Sequence, residues 1–142
     1  MTAQNGQLPG SLELAFLGDT IYDLYVRTLL VKKGGKIKQM HAEAVKHVCA
    51  SAQSDAFTRI EAMLCEEERA VARRARNARQ TPTKNADSAD YHRATALEAL
   101  IGYLFITGQS ARMEQIIRAA LSSFEETAPD SPRREEDPPC RK

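Results

Sequence analysis

The chain has 142 residues, 42% hydrophobic and 27% charged, with a formal net charge of +1. That length and balance describe a single domain with an ordinary core and exclude a polycation, an acidic tail protein or a low-complexity chain. No apolar run approaches the roughly 20 residues needed to span a bilayer, and "MTAQNGQLPG" has no apolar signal segment, so Cys49, Cys65 and Cys140 are expected as reduced thiols in a cytoplasmic protein.

Residues 1–10 read as a flexible leader ending at Pro9-Gly10-Ser11, with Ser11 the expected N-cap of a first helix. Apolar residues then run from Leu12 to Val31, and Lys32-Lys33-Gly34-Gly35 supplies cations and glycines at the helix end. Between Ile37 and Leu64, apolar residues recur at steps of three and four with no proline or glycine, so one broken helix or two shorter ones are expected. "EEERAVARRARNA" (66–78) opens with acids and closes with arginines, the polarity a helix dipole favours. The polar stretch 79–90 is the clearest internal loop. A helix through "YHRATALEALIGYLFI" follows to Ile106, and an amphipathic helix covers Ser110 to about Thr127. Residues 128–142, with four prolines and mixed charge, read as a disordered tail. No alternating strand pattern occurs, so the expected fold is all-α, with 11–127 as the folded domain.

Two acids break the apolar pattern. Asp23 stands four residues before Arg27 and is explained by an ordinary ion pair, but Asp19 has no basic residue three or four positions away. Glu98, inside "TALEALIGYLF", is equally alone. Each acid lies near a helix-interior glycine, Gly18 and Gly102, at a cost of about 1 kcal/mol per glycine relative to alanine. A missing side chain admits another helix backbone, a metal's water shell or a bulky polyanion. Two ionised carboxylates from separate helices repel unless a cation lies between them, and Mg²⁺, which takes oxygen ligands and keeps several waters, suits the pair. The alternative is that each acid is a satisfied core carboxylate.

From Arg69 to Arg93 the chain carries seven basic residues (Arg69, Arg73, Arg74, Arg76, Arg79, Lys84 and Arg93) against Asp87 and Asp90. Lys32, Lys33, Lys36 and Lys38 form a second cluster. Such clusters suit phosphate backbones, or else form a solvated helix face. Aromatic interleaving is absent, which favours a duplex read by shape and backbone over stacked single strands.

"LELAFLGDTIYDLYVR" resembles the signature helix of ribonuclease III catalytic domains, and "RATALEALIGYLFI" their second acidic helix. "RRARNARQTPTKNAD" resembles the basic helix and RNA-contacting loop of one subfamily, Mini-ribonuclease III. The larger enzymes carry acids where Ala15 and Thr95 stand, so only Asp19 and Glu98 of four usual acidic positions remain. In the loop, Thr83 separates Pro82 from Lys84, which are adjacent in the subfamily pattern. The resemblance implies an all-helical homodimer of six to seven helices that hydrolyses double-stranded RNA with Mg²⁺ and leaves 5′-phosphate ends.

It further implies Asp19 and Glu98 as catalytic metal ligands, with Arg73, Arg74, Arg76, Arg79, Lys84 and Asn85 contacting RNA. The subfamily's substrate is the precursor of large-subunit (23S) ribosomal RNA, trimmed at both the 5′ and 3′ ends in the cytoplasm. A large-subunit ribosomal protein is then a possible helper. A dimer also accounts for a first helix that is apolar nearly all round. Phe16 is expected in that interface, with a core position as the alternative. The rival function is a catalytically inactive double-stranded-RNA-binding module of the same fold, to which Ala15 and Thr95 lend weight.

Overall fold

A computed structural model describes residues 7–78 and 88–127. Among these residues the structure is entirely helical: α1 (Ser11–Lys33), α2 (Ile37–Val48), α3 (Ala50–Ile60), α4 (Glu66–Arg76), α5 (Ser88–Ile106), α6 (Ser110–Ala120) and α7 (Ser122–Thr127), with a 3₁₀ turn, Glu61–Met63, between α3 and α4.

The breaks follow local chemistry. Gly10, not Ser11, is the N-cap of α1; its carbonyl accepts from the Leu14 N–H at 2.9 Å, so the helix begins one residue earlier than expected. Gly34 ends α1 at φ +81°, a left-handed conformation that side chains resist, and its N–H donates to the Leu30 and Val31 carbonyls. The segment 37–64 forms two helices, divided where Cys49 adopts extended backbone. The expected helix over 110–127 is interrupted at Leu121, which leaves α6 and the short α7. Helix α5 starts at Ser88, inside the stretch read as loop; positions 79–87 of that stretch lie outside the described residues.

Helix α5 is the axis of the molecule. Every residue from Ala94 to Leu104 is buried except Glu98, and α1, α3, α4 and α6 pack around it. A helix apolar on all sides must be enclosed on all sides, and here four neighbours enclose it. The core is completed by Tyr22 and Val26 of α1, Ile60 of α3, Val71 and Ala75 of α4, and Ile116 and Ile117 of α6. The hydroxyl of Tyr22 is pushed up to about 12 by burial, so it remains protonated.

The closest approach is between α1 and α5. A Cβ built on Gly18 would collide with the Glu98 carbonyl and come within 3.0 Å of Glu98 Cα; one built on Gly102 would collide with the Leu14 carbonyl and stand 3.3 Å from Gly18 N. Of the three occupants that a missing side chain could admit, the structure shows the opposing helix backbone. Each glycine receives the main chain of the other helix.

A second fastening ties α4 to α6. Glu68 is buried, yet Arg112 meets it with two hydrogen bonds, Nε to Oε2 at 2.9 Å and Nη2 to Oε1 at 2.8 Å. The Cys65 N–H donates to Oε1 at 2.9 Å, capping α4, and Arg112 Nη2 also donates to the Met63 carbonyl at 2.7 Å. The Arg112 hydrogen bonds, helped by the Cys65 N–H, hold the Glu68 carboxyl down at about 2 against the opposing effect of burial.

Candidate active site and basic groove

The glycine interlock sets the site. Gly18 lies against the main chain of Glu98, and Asp19 is the next residue along α1. Asp19 is exposed and Glu98 partly buried, the single opening in the buried length of α5. The Glu98 carboxyl is pushed up to about 8, first by burial and then by the negative charge of Asp19. The three ion pairs among the described residues use Asp23, Glu43 and Glu68. Among the described residues, neither Asp19 nor Glu98 has a cation of its own. Two carboxyl groups without a counter-charge, one of them holding its proton near neutrality, form a site that gains from a bound cation.

Their chemistry fits Mg²⁺, which is commonly held through one or two carboxylates while retaining several waters. Among the described residues, no group of three or more His, Cys, Asp or Glu side chains gathers where it could hold a metal. The flanking positions explain why the set stays at two. Ala15 and Thr95 are both buried, and the Thr95 hydroxyl donates back to the Tyr91 carbonyl at 3.0 Å. Asp23, as expected, is taken by Arg27 at 2.9 Å.

Phe16 is 83% exposed, so the core alternative does not hold. With Leu24 and Val31 it forms an exposed apolar face on α1, opposite the face that packs on α5.

The arginines of α4 divide by position. Arg73, Arg74 and Arg76 are all exposed, whereas Arg79, Lys84 and Asn85 lie outside the described residues. Arg69, Arg73 and Arg76 line a cavity of about 440 Å³ between α4, the end of α3 and the 3₁₀ turn, floored by Phe57, Leu64 and Ala72. Arg74 does not line it. The sequence reading placed Arg69 in the basic strip but not among the RNA contacts; its spacing of four and seven residues from Arg73 and Arg76 is the signal that joins it to them.

The chain matches the ribonuclease III domain over residues 12–109. It is 43% identical to Mini-ribonuclease 3 of Brevibacillus brevis over 120 residues, covering 83% of this chain and 90% of that one. It is 42% identical to Mini-ribonuclease 3 of Enterococcus faecalis over 125 residues, covering 85% and 94%. A crystal structure of a protein from Fusobacterium nucleatum superposes with a TM-score of 0.74 at 31% identity, covering 81% of this chain and 93% of that one. The chain therefore belongs to the ribonuclease III family, within the group of the Mini-ribonuclease 3 proteins. Its activity is that of an endoribonuclease, a phosphodiester hydrolase.

Proposed function

We propose that this chain cleaves double-stranded RNA with Mg²⁺ held by Asp19 and Glu98, and that its substrate is the 23S ribosomal RNA precursor, matured at both the 5′ and 3′ ends in the cytoplasm. The observation that carries the reading is the isolated acid pair: Glu98, the one opening in the buried length of α5, lies in the field of Asp19, and no cation among the described residues pairs with either. When bound, Mg²⁺ supplies positive charge to the phosphate and lowers the pKa of a bound water. The protein's own work is to hold two oxygen donors at a spacing fixed by the glycine contact. Glu98, which holds its proton near neutrality, would have to release it to serve as an oxygen donor to a cation. Hydrolysis adds water across the phosphodiester, leaving phosphate on the 5′ end and hydroxyl on the 3′ end. Arg73 and Arg76 of α4 hold the duplex by its backbone, with Arg79, Lys84 and Asn85 following in the sequence.

The proposed active form is a homodimer closed over Phe16, Leu24 and Val31, since large exposed apolar side chains sharing a face mark an association surface. Phe16→Asp is expected to sediment as a monomer while keeping its helical content; a dimer unaffected by it places the interface elsewhere.

The direct test incubates the purified chain with structured RNA in Mg²⁺ or EDTA, beside Asp19→Asn. Cleavage in Mg²⁺ alone, lost in the variant, is the expected result. Duplex binding without cleavage under any divalent metal would make the chain an inactive RNA-binding module, the reading that Ala15 and Thr95 favour.

A further inference from the structure

Three arginines share a groove with almost nothing to neutralise them. Arg69, Arg73 and Arg76 extend over about 10 Å of α4, taking 1.5 Å per residue. None has an ion pair among the described residues, although the chain pairs exposed cations elsewhere, Arg27 with Asp23 and Lys46 with Glu43. Among the described residues, the only carboxylate on the groove wall is Glu61, and it pairs with none of the three. A concave surface with apolar walls and one sign of charge concentrates its field outward, towards an anion.

The groove also leads somewhere. Arg76 lines a second, more open cleft of about 670 Å³, whose other described walls are Asn77, Ser88, Ala89 and His92. His92 stands on α5 six residues before Glu98, about 9 Å along the helix.

We propose that these two cavities form one track for the sugar-phosphate backbone of duplex RNA, with Arg69, Arg73 and Arg76 as its phosphate contacts, Asn77 and His92 as polar donors at the end nearest the acid pair, and Arg74 off the track. This rests on the double-stranded RNA reading above and narrows it to a path. A single-stranded RNA would need aromatic platforms; among the described residues the arginine groove has one aromatic, Phe57, which is buried in the core, and the second cleft adds only the His92 ring.

The test is equilibrium binding of a short RNA duplex to the full chain in EDTA across a salt series. Variants are Arg69→Gln, Arg76→Gln, Arg74→Gln, Glu61→Gln and, as a cation distant from the groove on α6, Arg118→Gln. All five positions are exposed, so melting temperatures should stay within about 2 °C of wild type. The salt slope should fall by about one for Arg69→Gln and for Arg76→Gln, each with several-fold weaker binding. Glu61→Gln should bind more tightly than wild type, a gain that a structural role would not produce. Arg118→Gln should be unchanged.

The track is overturned if Arg69→Gln and Arg76→Gln behave like Arg118→Gln, or if Arg74→Gln lowers the slope as much as they do. Cleavage of the same duplex in Mg²⁺ is recorded in parallel. Binding without cleavage overturns the proposed activity and leaves the track standing; cleavage with unchanged slopes overturns the track alone.

Discussion

Glu68 and Glu98 are both glutamates drawn out of water on neighbouring helices, and the fold treats them in opposite ways. Glu68 is given Arg112 and the Cys65 N–H, and its carboxyl falls to about 2. Glu98 is given no cation among the described residues, and burial, with the charge of Asp19 added, raises its carboxyl to about 8. Burial pushes both upward, so the opposite sign at Glu68 does not come from burial. It comes from the partner. A carboxylate whose protein supplies its own cation is a finished structural element; one left to share a field with Asp19 is open to a cation from outside, as proposed above. Being a carboxyl drawn out of water is therefore a poor sign of function, and lacking a counter-charge is a better one.

The contrast can be broken at several points. The largest effect falls on activity: Asp19→Asn or Glu98→Gln should lower RNA cleavage in Mg²⁺ by at least about 10³-fold, whereas Glu68→Gln at matched folded concentration should retain most of it, both read as initial rates on duplex RNA. Next is the backbone contact. Gly18→Ala should destabilise by roughly 3 kcal/mol or more, because the new methyl meets the Glu98 main chain rather than a flexible side chain, as measured by urea unfolding. Arg112→Leu should cost about 3 kcal/mol, since it strands the buried Glu68 charge.

The pH dependence then sharpens the comparison by its sign. Glu68 has a folded pKa below its ordinary value of 4.5. The stability it contributes is present above 4.5 and lost as pH falls towards 2, so the penalty of Glu68→Gln should shrink on acidification. Glu98 in EDTA has a folded pKa above 4.5. Its carboxyl costs stability progressively as pH rises from 4.5 through 8, so Glu98→Gln should gain on wild type over that range, by several degrees in melting temperature. The smallest effect belongs to the exposed pair: Arg27→Gln, which loses the contact with Asp23, should change stability by about 0.5 kcal/mol or less.

Much of this was legible in the residues. The all-helical class, the order of the long helices and the Asp23–Arg27 pair follow from spacing, and spacing along one helix is what a sequence displays directly. Gly18, Asp19, Glu98 and Gly102 stand out because each breaks an apolar pattern. What the glycines admit was not legible, since it depends on how α1 crosses α5. Glu68 reads as one of three acids favouring a helix start; its bond to Arg112, 44 residues away, exists only after α4 and α6 have packed. The division of Arg69 from Arg74 likewise needs the position of α3, against which one of them turns. The break at Leu121 lies inside a continuous apolar stripe and carries no proline or glycine to announce it.

The interlock of Gly18 and Gly102 has a consequence for how this chain can vary. The atoms that touch are carbonyls and α-carbons, so the gauge between the two acid-bearing segments is cut in main chain. Rotamer changes and repacking among the surrounding leucines and alanines leave it where it is. The surroundings of the two acids can therefore drift while the main-chain spacing of the segments that carry Asp19 and Glu98 is inherited intact, provided that two positions on crossing helices never acquire a side chain.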